Sequence, residues 1–342
     1  MIRTFRTRIY PTAVQAETLR QYVGGARFAY NWGLEQWNKW VEDRNNGTRN
    51  DSPNWMKLSN MWTTEKPKWA SGLPRIVVAY ALRGVNNAFV LHFKRGCGWP
   101  RFKKRGCCKS TFHTDAFSTH VVRGGMAVHL VGVKKPIKLA ERYCTGHKVL
   151  KHTFACLAGR WYMSAVIECD DTRNPPDSKC GVDVGMKNPA VCSDGTELVL
   201  PKGDLKRLDR RLRKAQHTMS RRRKDSRRRA KALLRCQRIR ERINNIRRDC
   251  IHKFTSAVCK NHATVVIEDL NAAGLHRCPR NIRAGIHRSC VYEILRQIGY
   301  KAVNPVEASR WYPSTQLCSV CGARHKMTLK QRTYQCPVCV GL

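Results

Sequence analysis

The sequence predicts two domains of unlike class: a first in which one strand and several helices give way to short strands, then a second of apolar strands and basic helices that ends in a metal-binding ribbon. Three observations carry this prediction. Helical apolar spacing in the first hundred residues gives way to short alternating strands over 110–169. A polar, proline-bearing linker at 170–176 then opens onto apolar strands separated by a long basic stretch. Two CxxC pairs lie in the tail. A chain of 342 residues suits about two domains, and an apolar fraction of 42% is ample for buried cores.

Taken in order, residues 2–10 alternate apolar and basic side chains and stop at Tyr10-Pro11, which predicts a short strand closed by proline. Thr12 predicts an N-cap for a helix from Ala13, with Leu19, Val23, Ala26, Tyr30 and Leu34 at helical spacing. The Trp- and Asn-rich stretch 32–69 reads as mostly helical, with loops over 45–53 and near Pro67, and a further helix follows over 75–93. Residues 94–105 form a basic loop punctuated by Gly and Pro and carrying Trp99 and Phe102. Strands are predicted over 127–133, 153–157 and 160–168, with Ala158-Gly159 as a hairpin turn. Beyond the linker, strands are predicted over 180–184, 190–193 and 263–268, with a turn at Asp194-Gly195 and a helix over 290–298.

The charge balance narrows the function classes. Sixty-five Lys and Arg against 24 Asp and Glu give a formal net charge of +41. Self-repulsion at that charge opposes the compact state, so a polyanionic partner is expected: nucleic acid or an anionic membrane surface, with simple solvation as the alternative. No stretch reaches the roughly 18–20 uninterrupted apolar residues of a spanning helix, and Met1-Ile2-Arg3-Thr4-Phe5-Arg6 lacks the apolar core of a signal peptide. A cytoplasmic location is the expectation. Seventeen cysteines in a chain of this kind read as reduced thiols, and most of those outside the tail are expected to be small buried hydrophobes.

Four groups of residues carry chemistry. Cys318-Ser319-Val320-Cys321 and Cys336-Pro337-Val338-Cys339 have the spacing at which two turns present four thiolates to a tetrahedral Zn²⁺, with a redox pair as the rival reading. The residues between them are basic (Arg324, His325, Lys326, Lys330, Arg332), and four cysteines leave no place for His325 as a ligand.

Residues 202–248 hold 21 Lys and Arg against four acids, too few for self-compensating i,i+4 pairs. Two helices joined near 220–226 are predicted there, with seams Leu205, Leu208, Leu212, Ala215 and Leu233, Leu234, Ile239, Ile243, Ile246. Their outward faces, including Arg221, Arg222, Arg223, Arg227, Arg228 and Arg229, suit a polyphosphate track better than a merely solvated surface.

Asp183 in Gly181-Val182-Asp183-Val184-Gly185 and Glu268 in Val265-Val266-Ile267-Glu268 are carboxylates at apolar strands. On neighbouring strands they can converge on Mg²⁺; otherwise each caps a turn or pairs with Lys187 or an arginine. Asp194 and Asp269 read as turn residues. Trp99, Phe102, Trp311 and Tyr312 lie among basic or polar neighbours, which suits base stacking, although core burial is expected for most of them.

The order of these features resembles the TnpB (OrfB) family of transposon-encoded RNA-guided nucleases over nearly the whole chain. The resemblance rests on Tyr10-Pro11-Thr12, Pro100-Arg101-Phe102-Lys103-Lys104, Gly181 to Gly185 with Ser193-Asp194-Gly195, Val266-Ile267-Glu268-Asp269-Leu270-Asn271, and the double CxxC. It implies a wedge β-barrel over 1–172 with a helical recognition insertion (about 12–95). An RNase H-like RuvC domain would follow over 173–342, with a basic helical hairpin (about 202–248) and a zinc ribbon (about 313–342). Compact type V CRISPR effectors share this plan.

The resemblance further implies a guide RNA transcribed from the protein's own element and cleavage of matching DNA beside a short flanking motif. Asp183 and Glu268 would be the first and second RuvC acids, with Mg²⁺ as cofactor and Zn²⁺ in the ribbon. Arg101, Lys103, Lys104 and the arginines of the helical pair would lie along nucleic acid, while base pairing reads the sequence. The family's third catalytic Asp, in an Asp-Arg-Asp-x-Asn-Ala-Ala segment after the ribbon, has no counterpart here: the sequence stops at Leu342, and Val340 displaces to Gly341 the glycine that follows the last cysteine. The expectation is a chain truncated before that acid, with cleavage largely removed and RNA and DNA contacts kept. A guide-dependent binder without nuclease activity, and an RNA-independent transposase accessory that binds DNA, are the competing readings.

Overall fold

The computed structural model describes residues 1–106, 109–143, 146–186, 188–270, 278–309, 311–313, 316–318, 320–325 and 335–339. Lys187, Lys326, Lys330, Arg332, Val340 and Gly341, all named above, lie outside them. The chain divides into two compact units: Met1–Asp171 with Leu233–Gln237, and Thr172–Ala232 with Arg238–Leu342.

The first unit begins with strand β1 (Ile2–Tyr10), which stops at Pro11 because proline offers no N–H to a ladder. Thr12 then starts helix α1 (Ala13–Asn45) through a capping box, its side chain accepting from Gln15 N–H while Gln15 bonds back to the Thr12 backbone. Helices α2 (Trp55–Glu65) and α3 (Arg75–Arg95) follow, the latter ended by Gly96 in the left-handed conformation. Six more strands complete the unit: β2 (Ser110–Thr114), β3 (Thr119–Val122), β4 (Ala127–Leu130), β5 (Ile137–Leu139), β6 (Lys148–Leu157) and β7 (Arg160–Glu168). All pairings are antiparallel, in the order β2-β6-β7-β1-β5-β4-β3, giving a nearly closed, barrel-like sheet. Ala158 and Gly159, both at positive φ, make the β6–β7 turn.

One core joins sheet and helices. Phe112 stacks on Phe154 with centroids 4.9 Å apart, Tyr22 meets Phe112 edge-on, and Trp37 stacks on Phe89. Gly33 lets α1 close on α3, since a Cβ there would stand 2.7 Å from Leu82. Helix α3 is the one described helix long and apolar enough to cross a membrane. Its Val77, Val78, Leu82, Val85 and Phe89 instead belong to this core.

The second unit holds a four-stranded sheet in the order β11-β10-β8-β9. Strand β8 (Lys179–Asp183) pairs in parallel with β10 (Thr264–Glu268), β10 pairs in parallel with β11 (Asn304–Ala308), and β9 (Val191–Cys192) is antiparallel to β8. Helices α4 (Lys202–Ser220) and α5 (Arg227–Asn261) connect β9 to β10. Helix α6 (Arg280–Ser289) and helix α7 (Val291–Lys301) lead to β11. Parallel strands joined by helices are the α/β arrangement expected for this half. Strand β11 was not anticipated because Pro305 interrupts its pattern; it is tolerated because β11 is an edge strand.

The structure corrects two sequence expectations. Trp99, Phe102, Trp311 and Tyr312 are all exposed rather than core residues, Trp311 to 86%. Of the described cysteines outside the tail, only Cys180, Cys192, Cys236 and Cys259 are buried; Cys156, Cys169, Cys250, Cys278 and Cys290 are half-buried and Cys97 is exposed.

Candidate nucleic-acid interface and metal centres

Asp183 and Glu268 end neighbouring parallel strands. Val182 pairs in register with Ile267, so the two carboxylates occupy the next rung at the same end of the sheet. Strands in a ladder lie about 4.8 Å apart, which places the two side chains within electrostatic reach. Burial raises the Glu268 carboxyl above its ordinary value, and the Asp183 charge raises it further. Asp183 itself is exposed. No ion pair to either acid is found among the described residues, so neither is explained there as half of a salt bridge. Two hard oxygen donors converging in this way fit part of a Mg²⁺ shell, whose remaining positions water fills.

The four tail cysteines come together. Cys318, Cys321, Cys336 and Cys339 have sulfurs all within 4.8 Å of one another, with Cys318–Cys339 at 3.4 Å and Cys321–Cys336 at 3.5 Å. Zn–S bonds of about 2.3 Å in a tetrahedron set sulfurs roughly 3.8 Å apart, so the quartet fits such an ion. Each knuckle also points amides at sulfur: Val320 N–H at Cys318, and Val338 and Cys339 N–H at Cys336. The amides of Cys321 and Val320 pull the Cys318 thiol down to about 6, and those of Cys339 and Val338 lower Cys336. Gly322 at positive φ turns the chain back so that its N–H reaches Cys318 O, and Leu317 bridges Arg324. His325 is not in the cluster.

Helices α4 and α5 form the predicted basic pair, and α5 runs on to Asn261, beyond the basic stretch. Leu205, Leu208, Ala215, Ile239 and Ile243 are buried as their spacing predicts, whereas Leu233 is 44% exposed. Ser226 caps α5 by accepting from Arg229 N–H. Arg221, Arg222, Arg223, Arg227 and Arg228 are exposed around the break. Arg229 differs, because its guanidinium donates to the Met219 and Arg222 carbonyls and closes the turn.

In the first unit Arg101, Lys103 and Lys104 are exposed on the loop after α3. Asn31 fixes this loop from α1, donating to Lys103 O at 3.0 Å and accepting from Lys103 N–H at 2.7 Å. The Lys103 ammonium sits 3.5 Å from the Tyr30 ring centroid. Trp99 leans edge-on against Phe89 while remaining 43% exposed. Sequence reasoning did not find Asn31, which lies 72 residues from its partner inside an ordinary helix; nor did it find His262, discussed below.

Comparison with known proteins defines the class. Residues 164–304 match a family described as "Probable transposase" (OrfB of the IS605 type), and residues 1–46 match its "Helix-turn-helix domain". In this chain those 46 residues are a strand and one unbroken helix. Over 98% of its length the chain is 31% identical to the Escherichia coli (strain K12) protein named "Putative RNA-guided DNA endonuclease InsQ", covering 88% of that protein. It is 30% identical to a Streptomyces pristinaespiralis protein named "Putative RNA-guided DNA endonuclease", covering 84% of it. Among solved structures, the "Cas12f1-sgRNA-target DNA complex" contains a chain of similar fold, with a TM-score of 0.57 at 11% identity over 98% of this chain and 96% of that one. The chain belongs to the TnpB (OrfB) family.

Proposed function

We propose that this protein binds a guide RNA and, through it, a matching DNA strand, as a transposon-encoded protein of the TnpB type. The observation that carries this reading is the likeness, over 98% of this chain, to two proteins named as RNA-guided DNA endonucleases. The basic pair α4–α5 supports it, because a stretch with 21 cations against four acids over 202–248 suits a duplex backbone, which carries charge but no sequence information.

In this reading residues 1–172 act as the wedge and recognition half and 173–342 as the RuvC half. Arg101, Lys103, Lys104, Arg221, Arg222, Arg223, Arg227 and Arg228 contact phosphates, and Arg229 holds the turn that presents its neighbours. Exposed Trp99 and Phe102, beside that basic loop, offer stacking faces to unpaired bases. The Cys318, Cys321, Cys336 and Cys339 quartet holds Zn²⁺ as a structural ion. Asp183 and Glu268 would hold Mg²⁺, which when bound supplies an activated water and neutralises charge on a phosphodiester. The work takes place in the cytoplasm, where target DNA is accessible and these thiols stay reduced.

Sequencing the RNA that co-purifies with the protein, expressed together with its native flanking DNA, tests the reading. A discrete RNA species is expected. Only fragmented, heterogeneous RNA, or none, would move the assignment to a guide-free DNA-binding protein.

A further inference from the structure

At the end of β8 away from Asp183, three donors of different chemistry meet. Cys180 Sγ, a carboxylate oxygen of Asp194 and a ring nitrogen of His262 all lie within 4.8 Å of one another. They come from separate places: the second residue of β8, the turn after β9, and the residue that caps the end of α5. Cys180 is 1% exposed and the His262 side chain 13%, so the cluster opens to water mainly at Asp194.

The surrounding hydrogen bonds fix what each donor can do. Ser178 Oγ donates its one proton to the Asn261 carbonyl at 2.9 Å, so it accepts from His262 Nδ1–H, also at 2.9 Å. With that proton on Nδ1, the Nε2 lone pair faces Asp194 Oδ2 at 2.9 Å. The other Asp194 oxygen takes the Thr196 N–H at 2.8 Å, which fixes the carboxylate's direction. When the Nδ1 proton goes to Ser178, a cation between these two acceptors, a proton or a metal ion, satisfies both.

Cys180 distinguishes the two. A thiolate adds little to a proton bridge, whereas sulfur, imidazole nitrogen and carboxylate oxygen together are a zinc donor set. Ser193 Oγ–H is directed at the Cys180 sulfur from 3.6 Å, where it would stabilise the thiolate. The Ser178 contact to Nδ1 is the kind of outer hydrogen bond that orients metal-binding imidazoles.

We infer that Cys180, Asp194 and His262 form a second zinc site, separate from the tail quartet, with water in the fourth position. Binding displaces the Cys180 thiol proton, which is directed at the Gly181 carbonyl at 3.4 Å in the metal-free form. The ion clips the end of α5 to the β8–β9 hairpin, three residues before Asp183 on the same strand. The inference does not depend on the guided reading of the protein.

Full-length protein equilibrated with buffered free Zn²⁺, then analysed by elemental mass spectrometry, tests it. Two zinc ions per chain are expected for the wild type, and one for C180A and for H262Q. After Co²⁺ loading, a C318S/C321S/C336S/C339S variant should keep a single-thiolate charge-transfer band that adding C180A abolishes. D194N, a change on an exposed turn, gives the same zinc count if H262Q does not fold. One zinc per chain in the wild type, or two that persist in C180A and D194N, overturns the assignment.

Discussion

Replacing Arg221, Arg222, Arg227 and Arg228 together by Gln removes four exposed cations around the α4–α5 break and leaves Arg229, which closes the turn, in place. If each contacts one phosphate of a guide–target duplex, each releases a counterion worth roughly 0.9 in the slope of log K against log salt. Four lost contacts make that slope shallower by about 3.6. Raising salt fourfold, from about 50 to about 200 mM, therefore weakens the wild type roughly 150-fold more than the variant. Gln has helix propensity close to Arg and the sites are exposed, so melting temperatures should differ little. Fluorescence anisotropy with a labelled RNA–DNA hybrid at several KCl concentrations gives both slopes. The control R229Q should lower stability and leave the slope nearly unchanged, because its guanidinium is committed to backbone carbonyls. Parallel slopes for wild type and the four-site variant would refute the claim that this face tracks phosphates.

Other perturbations test other parts of the account. D183N should bring the Glu268 carboxyl partway back toward its ordinary value, since burial and the Asp183 charge both raise it; a Glu268 titration unmoved in carbon-detected NMR would contradict their adjacency. The proposed Mg²⁺ site predicts a rise in melting temperature on adding Mg²⁺ that the same substitution abolishes. His113 is held down to about 4 by burial, then by the Lys151 and Lys103 charges, and bonds Thr153 Oγ1 at 2.9 Å. The unfolded chain takes up that proton near 6.5, so the contribution is full above 6.5 and is lost as pH falls toward 4, by up to about 3 kcal/mol. The stability difference between wild type and H113Q should shrink across that window in urea melts, and a constant difference would exclude the effect. G33A should cost up to about 2 kcal/mol, because a Cβ there meets the Leu82 side chain at 2.7 Å where α1 closes on α3, an overpacking partly offset by about 1 kcal/mol of gained helix propensity; calorimetry showing a gain in stability would mean that Leu82 moves aside freely.

What could be read from the sequence follows from how local each signal was. Pro11 and Thr12 fix the β1–α1 boundary through backbone chemistry, and Ala158-Gly159 fixes a hairpin, so both are readable from two or three residues. Asp183 and Glu268 were readable because a carboxylate closing an apolar strand is conspicuous, and parallel pairing then sets them side by side. Strands β2, β3 and β5 were not separately readable, since runs of three to five residues carry too few alternations to stand out. Helix α6 was hidden in a His- and Arg-rich segment whose apolar stripe is as short as Ile282 and Ile286, and β11 behind Pro305. The His262–Asp194–Ser178 contacts join residues 68 and 84 positions apart, which no spacing rule reaches. Exposure of Trp99 and Phe102 was misjudged because aromatic area alone argues for burial, and only the folded loop shows those rings left to solvent.

The most direct test of the central claim is binding of the purified protein–RNA complex to DNA that matches the co-purified RNA, compared with DNA carrying a scrambled match. The account predicts selective binding to the matched DNA that is lost when the RNA is digested and persists in D183N, since Asp183 is assigned to metal and not to the duplex. Equal affinity for matched and scrambled DNA, or selectivity that survives removal of the RNA, would contradict it.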